Sequence, residues 1–165
     1  MNYNIIYFLE GKGQNPSIYE IWSYNFFQLE YKHDYIQWLF PLKEPSKYNI
    51  NAPILSDEDI QYIKSNEKLK NHILFSFKQM LHFYGFKIDD ENKIEYNKIY
   101  WIRKFNWLHK NNHNFKRITR ILKSLCLLGL EKYAIEWEKI LEEVYLKYPF
   151  TINDSINYWR RAVMI

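Results

Sequence analysis

Apolar residues recur at helical spacing along most of this chain. The clearest case is Ile118, Ile121, Leu122 and Leu125, at i, i+3, i+4 and i+7, which predicts a helix buried along one stripe from Asn114 to the neighbourhood of Gly129. Leu69, Ile73, Phe77, Met80, Leu81 and Tyr84 predict a longer amphipathic helix that begins at Glu67 and ends at Gly85. Ala134, Trp137, Leu141, Val144, Tyr145 and Tyr148 predict a third, closed by Pro149 and acidic outside at Glu136, Glu138, Glu142 and Glu143. Shorter helices follow from Ser17 (Ile18, Ile21, Trp22), before Pro41 (Tyr35, Trp38, Leu39 inward) and after the cap Ser56 with its acidic first turn (Ile60, Ile63). Two more are expected with Trp101, Phe105 and Leu108 inward, and behind Asn153-Asp154-Ser155 with Ile156, Trp159 and Val163 buried. Two stretches break the helical period: Met1 to Phe8 reads as a short extended segment, and the acidic turn Asp89 to Asn92 reads as closing a small hairpin between Phe86-Lys87-Ile88 and Ile94-Glu95-Tyr96. Pro45 and Pro53 mark an extended strap between helices. The fold class is therefore all-α, a single domain over residues 1–165 with about seven helices and a minor β-hairpin.

Composition supports one continuous core. The chain has 165 residues, of which 19% are aromatic, and its six tryptophans are scattered from end to end. The single cysteine, Cys126, sits between leucines and excludes an intramolecular disulfide, which fits a reducing, intracellular compartment. The apolar run Ile5 to Leu9 is too short for a signal peptide or a membrane span, so a soluble, cytoplasmic protein is expected.

Charge changes the picture more by its clustering than by its net value of +4. Lys116, Arg120 and Lys123 fall at i, i+4 and i+7 with Arg117 beside them, so four cations are expected on one helical face over two turns. The window 97–129 contains eight of the 23 Lys and Arg residues and none of the 19 acids. A solvated helix ordinarily interleaves acids for i,i+4 pairing. Two readings remain open: the cations answer the acidic side of the Glu131 to Tyr148 helix, or they form an anion site. In the second, Arg117 and Arg120 make a fork for phosphate or carboxylate, His113 and Asn114 orient it, Lys116 and Lys123 add charge, and Gln37 and Trp38 form the opposite wall. Asn112 or Asn114 is expected to cap this helix.

Other chemistry finds little support. Gly11 and Gly13 lack the Gly-Lys-Ser/Thr of a phosphate loop. His109 and His113 have metal-compatible i,i+4 spacing, but no neighbouring carboxylate or cysteine completes a shell and Asn111-Asn112 interrupts the helix, so no metal and no cofactor is expected. His33-Asp34 could pair with His113 as acid and base, yet no nucleophile or oxyanion site accompanies them.

Three strings then carry a family likeness. His33 to Pro45 (His-Asp-Tyr-Ile-Gln-Trp-Leu-Phe-Pro-Leu-Lys-Glu-Pro), Phe83-Tyr84-Gly85, and Arg117 to Leu125 (Arg-Ile-Thr-Arg-Ile-Leu-Lys-Ser-Leu) with Gly129-Leu130-Glu131 resemble, in order and over almost the whole chain, the conserved N-terminal region of the opioid growth factor receptor family. The resemblance implies a receptor-like protein. Animal members are described as enkephalin receptors associated with the nuclear envelope that restrain cell growth, and no catalytic residues come with the family. Phe115 and Lys116 depart from its usual Asn and Leu. The Asn-, Ile-, Lys- and Tyr-rich composition and the lack of the animal proteins' long C-terminal extension are expected of a stand-alone microbial or viral member. The expected function is a non-enzymatic binding module that takes an anionic or peptide partner in a basic helical groove. The alternatives are nucleic-acid binding through the acid-free window 97–129 and an enzyme of unrecognised type.

Overall fold

The computed structural model of the chain describes residues 1–13 and 15–164. Among them are eleven α-helices, one two-stranded sheet and one 3-10 turn. The chain divides into two units, Met1–Phe77 and Lys78–Ile165. The all-α class holds, with more helices than the periodicity predicts because several span only four to six residues. Segments that short carry too few apolar positions to display a period.

The first unit contains α1 (Tyr3–Leu9), α2 (Ile18–Trp22), α3 (Phe26–Tyr31), α4 (Ile36–Leu39), α5 (Asp57–Ser65) and the start of α6 (Glu67–Tyr84). The expectation of an extended N-terminus is corrected by α1, which buries Ile5, Ile6, Phe8 and Leu9 and packs on α4. A run that is apolar at nearly every position fits either period, and tertiary contact decides. One such contact is the Asp59 carboxylate, which accepts from the Asn2 backbone N–H at 2.6 Å. Three helices begin with reciprocal capping boxes: Ser17 with Glu20, Asn25 with Gln28, and Ser56 with Asp59. Burial acts to raise the Asp59 carboxyl, but donors from Ser56 and Asn2 outweigh it and leave the group below its ordinary value. Between α4 and α5 the strap is tied by a bridge between Leu42 and Ile54, with Leu55 N–H donating to the Leu42 carbonyl at 2.9 Å.

The second unit holds the end of α6, β1 (Phe86–Ile88), β2 (Ile94–Tyr96), the 3-10 turn Trp101–Arg103, α7 (Lys104–Trp107), α8 (Asn114–Leu127), α9 (Glu131–Lys147), α10 (Pro149–Ile152) and α11 (Ser155–Ala162). The strands pair antiparallel with Lys87 opposite Glu95, as the sequence predicts. Helix α8 packs against α9 and α11, and β2 lies on α9. Gly85 stops α6 at φ +92°, and a Cβ there would stand 2.9 Å from the Tyr100 carbonyl oxygen. Only glycine meets both conditions. In the segment 101–108 the expected inward residue Phe105 is instead 58% exposed. The helix predicted there breaks into a 3-10 turn and one α-turn, which rotates Trp107 into the core, where its Nε1–H donates to the Tyr84 carbonyl at 3.0 Å. Trp159 is anchored in the same way, donating to the Phe115 carbonyl at 3.1 Å.

Candidate functional site

Helix α8 is built as expected on its apolar side, where Ile118, Ile121, Leu122 and Leu125 are fully buried. Its start is held by Asn112, whose side-chain oxygen accepts from the Asn114 backbone N–H at 2.9 Å, while His113 occupies the N-cap position and is exposed. The four predicted cations do not share one environment. Lys116 is exposed, Arg120 and Lys123 are half-buried, and Arg117 is only 6% exposed. The reason is angular. Arg117 is one residue past Lys116, about 100° around the helix, and falls on the stripe of Asn114 and Ile121.

That stripe carries a polar seam. Asn114 is fully buried, and its side-chain oxygen accepts from the Tyr84 hydroxyl at 3.1 Å and from Arg117 Nη1 at 3.4 Å. Tyr84 is also fully buried, and its carbonyl receives the Trp107 indole. An amide, a phenol and a guanidinium therefore meet inside the unit, and the Trp107 indole is tied to them through the Tyr84 backbone. Arg117 and Asn114 thus act from beneath the surface, Lys116, Arg120 and Lys123 supply its accessible charge, and His113 is exposed at the helix start. Gln37 and Trp38 belong to the first unit: Gln37 is 4% exposed, and Trp38, half-buried, lies 5.4 Å centroid to centroid from Phe8.

The acids of α9 have partners that the sequence pattern does not single out. Glu142 is gripped by Arg160 of α11, whose Nη2 donates to Oε2 at 2.8 Å, Glu136 pairs with Lys139, and Glu143 accepts from the Tyr96 hydroxyl at 3.3 Å. Glu138 stands one turn before Glu142. Burial, then its hydrogen bond and charge repulsion with Glu142, push the Glu138 carboxyl up to about 7, while Arg160 holds Glu142 below its ordinary value. Two glutamates at i,i+4 were the available signal, because like charges at that spacing call for a cation from elsewhere. Burial, with help from the Glu143 carboxylate, raises Tyr96 to about 12. Burial together with Glu131 raises the Cys126 thiol to about 11. His82 is lowered by burial and by the neighbouring Arg103.

Among the described residues no group of three or more His, Cys, Asp and Glu side chains is arranged to hold a metal ion. His109 lies outside α7 and α8, so the i,i+4 spacing to His113 does not place the two rings on one helix face. No helix of the described residues is long and apolar enough to cross a membrane.

These features define a helical domain whose most distinctive part is a cation-bearing helix tied to its core by a buried amide. A sequence model of the opioid growth factor receptor (OGFr) conserved region matches residues 4–164, and the chain belongs to that family. It is 36% identical over 150 residues to the opioid growth factor receptor of Mus musculus, covering 88% of this chain and 24% of the relative. Against the Homo sapiens receptor it is 34% identical over 164 residues, 97% of this chain and 24% of the relative. Against opioid growth factor receptor-like protein 1 of Rattus norvegicus it is 38% identical over 112 residues, 68% of this chain and 24% of the relative. The chain thus spans about a quarter of the length of these curated relatives. No solved structure matches it.

Proposed function

We propose that the protein is a non-enzymatic binding domain that recognises an anionic group on a peptide partner through the outer face of α8. The observation that supports this reading is the segregation along that helix: Lys116, Arg120 and Lys123 reach solvent on one side within an acid-free window, while Arg117 and Asn114 brace the other from inside. The relatives' name, receptor, fits a domain that works by binding. In this reading Arg120 and Lys123 hold the anion, Lys116 adds attraction, and His113 donates at the helix start.

A second reading, binding to single-stranded nucleic acid, is favoured by the exposed aromatics Tyr100 and Phe105 within the same window, which could stack bases beside the cations. One titration separates the two. Fluorescence anisotropy with a labelled oligo-glutamate peptide and with oligo-dT is followed from low to physiological salt. Peptide binding that falls only modestly with salt, and more than about tenfold in the double variant Lys116→Glu/Lys123→Glu, supports the first reading. A steep logarithmic salt slope with oligo-dT and none with the peptide supports the second. Affinity for both probes that the double variant leaves unchanged removes α8 as the site.

A further inference from the structure

The first unit contains a cavity of about 310 Å3 that the α8 site does not use, lined among others by Phe8, Asp34, Tyr35, Trp38, Asn49 and Asn51. Its size is at the low end for ligand sites, enough for a small molecule or one extended side chain and too little for a nucleotide pair. Phe8 of α1 and Trp38 of α4, whose rings are in contact, line it together with the polar strap residues Asn49 and Asn51. Among the described residues that line it, Asp34 is the only charged one. Asp34 is exposed, and its backbone carbonyl accepts from the Asn49 side-chain amide at 3.4 Å. That bond, together with Asn51 N–H donating to the Asn49 side-chain oxygen at 3.1 Å, orders the polar rim. The Tyr35 hydroxyl is already committed to the Leu29 carbonyl at 2.6 Å, so its ring is left as a fixed apolar wall.

We infer that this cavity binds an alkylammonium group, with the Asp34 carboxylate as counter-charge and Trp38 and Phe8 as the aromatic wall. A carboxylate beside aromatic rings suits an organic cation, because the ring faces attract positive charge and the methylene stem is buried against them. A hard divalent cation is disfavoured, since one carboxylate and amide oxygens fall short of the six to eight oxygens that calcium takes. An anion would be repelled by Asp34. Two sources share this chemistry, a free small amine and the lysine side chain of a peptide.

Isothermal titration of the full chain with n-butylammonium, capped lysine amide, n-butanol and butyrate tests the inference. Butylammonium binds about tenfold or more tightly than butanol, and butyrate does not bind. Capped lysine amide matching butylammonium identifies a peptide side chain as the occupant, and exclusion of the capped form identifies a free amine. Asp34→Asn abolishes the preference for the cation without shifting the thermal midpoint, and Asn51→Asp, with a second carboxylate on the rim, strengthens it. Lys116→Glu/Lys123→Glu leaves the preference intact, which separates this site from α8. Equal affinity for butanol and butylammonium, or a preference that survives Asp34→Asn, would overturn the inference.

Discussion

Two clusters in the second unit solve the same problem, ionisable groups caught between helices, with different chemistry. In the seam under α8, the Arg117 charge and the Tyr84 hydroxyl converge on a neutral amide, Asn114. Between α9 and α11, the Arg160 guanidinium meets the carboxylate of Glu142, with a second carboxylate, Glu138, crowded beside it. An amide keeps its hydrogen-bonding pattern across the whole physiological pH range, whereas crowded carboxylates trade protons within it. The first arrangement is therefore a fixed brace, and the second responds to acidity.

The largest effect is expected from breaking the brace. Asn114→Ala removes one acceptor from two buried donors and should cost about 3 kcal/mol, read as a lower chemical-denaturation midpoint. An unchanged midpoint would mean the seam is incidental. Tyr84→Phe withdraws only one donor and keeps the ring packed, so a loss of about 1 kcal/mol is expected in the same assay.

The acidic cluster gives a smaller effect with a signature in pH. Glu138 holds its proton more tightly in the folded chain than in the unfolded one, since its value rises from 4.5 to about 7. Stability contributed by this group therefore falls as pH climbs through that window, and the penalty is complete above it. Glu142 acts oppositely: its contribution is present above its unfolded value and is lost as acid protonates it. Glu138→Gln should flatten the decline between pH 5 and 7 and stabilise the chain at pH 8 by on the order of 1 kcal/mol, after allowance for solvent screening. Thermal melts across that range that keep the parental slope would exclude Glu138 as its source. The smallest change belongs to the outer face of α8: Lys116→Glu should move stability by less than about 0.5 kcal/mol while altering binding.

How much of this could be read beforehand depended on sequence distance. Helix α8, its apolar stripe, the hairpin and the stop at Gly85 depend on residues within a few turns of each other, and their spacing displays them. The break at Trp101 to Trp107 was hidden because Phe105 and Trp107 are equally apolar, and only the indole's reach to the Tyr84 carbonyl selects one. Periodicity places Arg117 on the open face because it counts charges along a helix and cannot see that the Asn114 amide meets it inside. The cavity beside Asp34 was illegible for the same reason, since α1, α4 and the strap meet there across more than forty residues. Asn49 and Asn51 read as ordinary loop residues.

The half-buried Cys126 has a practical side. It is the chain's only thiol, and its thiolate is scarce at neutral pH because burial holds the proton on sulfur. Maleimide probes should therefore react far faster with a cysteine introduced at solvent-facing Lys116 than with the native one, so spectroscopic reporters can be installed on the proposed recognition helix without first removing Cys126.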